Sequence, residues 1–172
     1  NVEDNPIKTL KWGARCLEAI GQGDTTALRE ALDAGIKPNA SLGTALNWTD
    51  WASGDVGPNL LFLAAISSSA EGMVSILLEA GADPKRPWTY ATDWDPEDCY
   101  MDTDTVSVLK SLEALATGEK DYFKTLFDDG TIGGDGLKQI KNLGYFDDGG
   151  APTYGAPTEA ALSMIRANIV AS

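Results

Sequence analysis

Residues 60–83 read LLFLAAISSSAEGMVSILLEAGAD, an apolar run that is broken by three serines, resumes, and stops at a glycine. The run ahead of the break, 60–66, has no polar flank, as expected of a helix buried on every side. Beyond the break, Met73, Val74, Leu77 and Leu78 pair at a spacing of four, which puts them on one helical face. Gly81 supplies the left-handed residue that commonly ends a helix, and Pro84 cannot continue one. The stretch is therefore helix, serine turn, helix, glycine stop.

The same order occurs twice more. Gly23 and Gly35 bracket Ala27, Leu28, Ala31 and Leu32, while Gly118 and Gly130 bracket Tyr122, Phe123, Leu126 and Phe127. A first helix precedes each pattern, over 7–20, 60–66 and 106–116. One such unit cannot bury its apolar face alone, so stacking of neighbours is expected. The reading is a single all-α domain over 1–172, a short α-solenoid of about three helix-turn-helix repeats at 7–40, 59–85 and 106–132. Two long inserts, 40–59 and 85–105, separate the repeats. Residues 133–172 form a helical C-terminal cap, in which Phe146-Asp147-Asp148-Gly149 ends a helix and Thr158 N-caps the last one. That last helix carries Leu162, Ile165 and Ile169 on one face.

At these residues the chain resembles the ankyrin-repeat family. Asn59-Leu60-Leu61-Phe62-Leu63-Ala64-Ala65 stands where that family has Thr-Pro-Leu-His-Leu-Ala-Ala, and Gly81-Ala82-Asp83-Pro84 matches its Gly-Ala-Asp-Pro. Gly23-Asp24, Leu28, Leu32, Ala34-Gly35 and Pro38-Asn39 match in the first unit, and Ala114, Gly118 and Gly130 in the third. Two departures stand out. The Thr-Pro-x-His tetrapeptide is absent from all three units. Gly81 also lies 46 residues beyond Gly35, and Gly130 lies 49 beyond Gly81, against ~33 for the family. The resemblance spans roughly 7–132 and implies partner binding through inter-repeat loops and the concave helix face.

Composition narrows the function. The 172 residues are 43% hydrophobic and 23% charged, with a net charge of −13 and no histidine. The acidity argues against nucleic acid, which needs a cationic patch. No apolar run approaches the ~18 residues that span a bilayer. Without histidine there is no Ser-His-Asp or Cys-His catalysis and no His-ligated zinc. No carboxylate pair is fixed across a cleft by its spacing, and the glycine-rich stretches lack the Lys-Ser/Thr of a phosphate loop. No catalytic residue and no cofactor is expected, and the chain does not read as an enzyme. Cys16 and Cys99 are too few for a four-thiolate site and read either as one disulfide or as two buried thiols. A start at Asn1 without Met reads as a processed mature chain, from an organelle lumen or stroma or exported, with the cytoplasm as the alternative.

The inserts hold the candidate binding residues: Trp48 and Trp51 in the first, and Trp88, Tyr90, Trp94 and Tyr100 in the second. Aromatic rings concentrate at interface centres, and they also shelter against their own helices. The second insert adds Asp93, Asp95, Glu97, Asp98, Asp102 and Asp104, with no basic residue in the stretch 93–104. The alternation of Asp93, Asp95 and Glu97 suggests a Ca²⁺ loop. An EF-hand would need a glycine where Asp98 stands, and Pro96 intrudes, so the preferred reading is a solvated acidic loop without metal. Together these features predict a non-catalytic protein-interaction or assembly module. Its partner is another protein or a large complex, in which the chain is a peripheral subunit, such as one of a membrane or plastid complex. The alternative is a small-molecule or pigment binder with the insert tryptophans as its pocket.

Overall fold

The computed structural model describes residues 6–42, 57–95, 97–98, 100–119 and 141–171. Among them are helices α1 (Pro6–Gln22), α2 (Thr25–Asp33), α3 (Leu60–Ala65) and α4 (Ala70–Glu79). Strands β1 (Pro87–Asp95) and β2 (Tyr100–Ser107) follow, then α5 (Val108–Thr117) and α6 (Glu159–Ala171). Trp48, Trp51, Cys99 and the second helix expected in the third unit lie outside the described residues.

Helix α3 is the centre of the molecule. Every residue from Leu60 to Ile66 is buried, as its uniformly apolar sequence requires. It packs on α1, α4 and α5. Around it close Cys16, Leu17 and Ile20 from α1, Met73, Val74 and Leu77 from α4, and Val108 and Leu112 from α5. The buried Asn59 caps α3, its Oδ1 accepting from the Phe62 amide at 3.1 Å. Ser67 donates to the Ala64 carbonyl at 2.8 Å, so the serine break is satisfied internally. The pairs α1–α2 and α3–α4 also pack on each other, helix by helix.

The glycine stops share one mechanism. After α4, Gly81 (φ +101°) donates to Leu78 O at 3.1 Å and Ala82 to Leu77 O at 2.9 Å. After α2, Gly35 donates to Leu32 O and Ile36 to Ala31 O, at 3.1 and 3.2 Å. This pairing satisfies the last carbonyls of a helix and requires a left-handed residue at the glycine. Ile36 and Ala82, the residues just beyond, are buried against the core. The two stops are then tied together: Asn39 Oδ1 accepts from the Asp83 amide at 2.8 Å.

The expectation of an all-α solenoid fails at 87–107. Strands β1 and β2 form an antiparallel hairpin, with Trp88 opposite Val106, Tyr90 opposite Asp104 and Asp95 opposite Tyr100. Gly57 bridges to Thr89 at the outer edge of β1, its amide donating to Thr89 O at 2.8 Å. The molecule is mixed α/β. The physical cause is a two-residue alternation, Trp88 and Tyr90 inward with Thr89 between them, which a helix could not bury on one face. The strand also claims Val106, so α5 begins only after Ser107, whose Oγ caps it by accepting from Lys110 N at 3.2 Å.

The C-terminal segment closes the core. The helix ending at 143 stops at Gly144 (φ +79°), before the Phe146–Gly149 stretch expected to stop it. Asp147 turns the chain instead, its Oδ1 accepting from Gly149 N and Ala151 N at 2.9 and 3.0 Å. Tyr145 is buried and donates its hydroxyl to Leu17 O of α1. A Cβ at Gly21 would lie 2.8 Å from Leu143 O, so glycine there permits the close approach. Helix α6 packs on α4 and α5 through Leu162 and Ile165. Arg166 links it to α5 by a charge-assisted bond to Glu113 (3.0 Å) and bonds within α6 to Glu159 (2.8 Å).

Candidate interaction surface

The β1–β2 hairpin has a buried base and an acidic outer half. At the base, the Trp88 ring is 3% exposed, 5.0 Å from the Phe62 ring of α3 and 5.8 Å from Tyr90. Its Nε1–H donates to Ser111 Oγ at 3.0 Å, and that buried hydroxyl donates to Val108 O at 2.8 Å. The indole is therefore bonded as well as packed, which buried tryptophan requires. Tyr90 is 6% exposed and donates its hydroxyl to Asp104 Oδ2 at 3.4 Å. Of the candidate partner-binding rings, Trp88 and Tyr90 are thus core residues and offer no face to a partner. Trp94 and Tyr100 lie on the outer strand segments, paired with Met101 and Asp95 respectively.

Beyond the base the register shifts between Ala91 and Asp93, a bulge that resets the alternation. It brings Asp93 opposite Asp102. Like charges directly opposed across strands are unfavourable. Thr92, Asp93, Glu97, Asp98 and the run 102–105 are exposed. Asp95 Oδ1 closes the turn by accepting from Glu97 N at 3.0 Å and Asp98 N at 3.4 Å. Asp104 Oδ1 accepts from the Thr105 amide at 2.8 Å. Six carboxylates and no Lys or Arg lie between Pro87 and Ser107, so the outer half is a local concentration of negative potential. Among the described residues, no group of three or more His, Cys, Asp or Glu converges as a metal site. Asp93 and Asp95 are residues of β1, and Glu97 lies in the turn that follows it.

Cys16 is a free thiol at 0% exposure. Burial pushes its pKa up to about 12. Burial also holds the Tyr145 hydroxyl well above its usual value, with the neighbouring Cys16 adding to the effect. Both groups are neutral packing elements at neutral pH. On α1, the Arg15 guanidinium stacks 5.0 Å from the Trp12 ring.

Sequence reasoning named all six acids but took them for a loop. Two signals could have located the strands. Thr103, Thr105 and Val106 give 100–107 a β-branched character, and Asp95-Pro96 is a favoured turn start between the two runs. The acids hid the strands, because Asp is depleted in sheets.

No helix among the described residues is long and apolar enough to cross a membrane. Comparison with protein-family models, with curated proteins and with solved structures returned no match.

Proposed function

We propose that the chain is a non-catalytic interaction module that presents the outer half of the β1–β2 hairpin to a cationic surface of another protein, as an assembly subunit of a larger complex. The observation that carries this reading is the division of the hairpin. Its base is held in the core by Trp88 and Tyr90, the latter paired with Asp104, and its outer half carries five acids, Asp93, Asp95, Glu97, Asp98 and Asp102, without a single basic residue. Such an arrangement holds a charged element in a fixed direction, which lowers the ordering cost of binding and steers a cationic partner. The resemblance of the helical units to ankyrin repeats agrees, since that family binds through the connections between its units. A pocket built from the insert tryptophans is less well supported, because the Trp88 ring is already covered by Phe62 and Tyr90.

The test is native mass spectrometry of complexes recovered from the source material on the tagged chain and on a D93N/E97Q/D98N/D102N variant. The reading expects a defined complex with the parent chain, dissociating as salt is raised because exposed charges are screened within about 10 Å at 0.1 M. It expects loss of that complex with the variant. A complex kept by the variant, or indifferent to salt, would overturn it.

A further inference from the structure

We draw no further inference here: the strongest candidate, the hydroxyl-lined hollow of about 250 Å³ where the 67–69 turn meets Thr158, carries nothing because its one buried hydroxyl, that of Ser67, is already donated to the Ala64 carbonyl and what remains is a helix N-terminus with no second feature pointing to a ligand.

Discussion

Trp88 concentrates the difference between a sequence read for exposed aromatics and a chain that folds. It lies in an insert, where an interface ring and a ring sheltered by its own helices are both open readings, and its neighbours in space are Phe62, Tyr90 and Ser111. Replacing it with alanine should cost about 3–5 kcal/mol, the usual loss for a buried large aromatic. Trp88→Phe should cost less, about 1–2 kcal/mol, mainly for the lost bond to Ser111. Urea melts of the two variants check both values. Cys16 gives a second prediction. Below pH 9 both folded and unfolded chains keep this thiol protonated. Between its ordinary value of 9.0 and about 12 the unfolded chain loses the proton while the folded chain retains it. Stability should therefore fall as pH rises through that window, by about 1.4 kcal/mol per unit for the one group, and Tyr145 adds to the fall at higher pH. Melts across the range should show a shallower slope in Cys16→Ala. A flat profile in the parent would contradict the buried thiol.

Among the elements, the paired helices of the first two units and their glycine stops were legible because each rests on local chemistry, whereas the stop at Gly144 and the start of α5 at Val108 were not. The apolar spacing of Leu28 with Ala31 and of Met73, Val74 and Leu77 appears as buried faces. Gly35 and Gly81 are helix stops for the backbone reason expected of them. The hairpin was not legible in the same way, because its strands are held by contacts distant in sequence: Trp88 to Ser111 and Phe62, and Gly57 to Thr89. Strand preference depends on such packing more than on the residues alone. The alternation around Trp88-Thr89-Tyr90 was nevertheless present, and a period-two reading would have turned both rings inward. The opposed acids at its outer half give an element-level prediction. Asp102→Asn removes the repulsion across from Asp93 and should stabilise the fold by about 0.5 kcal/mol. Thermal melts should show the gain at low salt and its decline as salt is added.

At the scale of the molecule, two stacked helix pairs, a hairpin and a closing C-terminal segment share one core around α3. The core accounts for nearly all the large apolar side chains whose burial is described; Tyr154 and Val170 are the exposed exceptions among them. What the fold leaves outside is charge, and in 87–107 that charge is of one sign. The candidate site was therefore legible in composition but not in geometry. The acids were evident, whereas their placement on a hairpin locked at one end depended on where Trp88 and Tyr90 are buried. The measurement closest to the central claim is amide hydrogen exchange on the chain, free and in the complex isolated from its source. The account predicts slowed exchange across the outer hairpin, from Thr92 to Asp104, with the α1–α2 pair unchanged. Protection confined to the helices, with the hairpin exchanging as in the free chain, would contradict it.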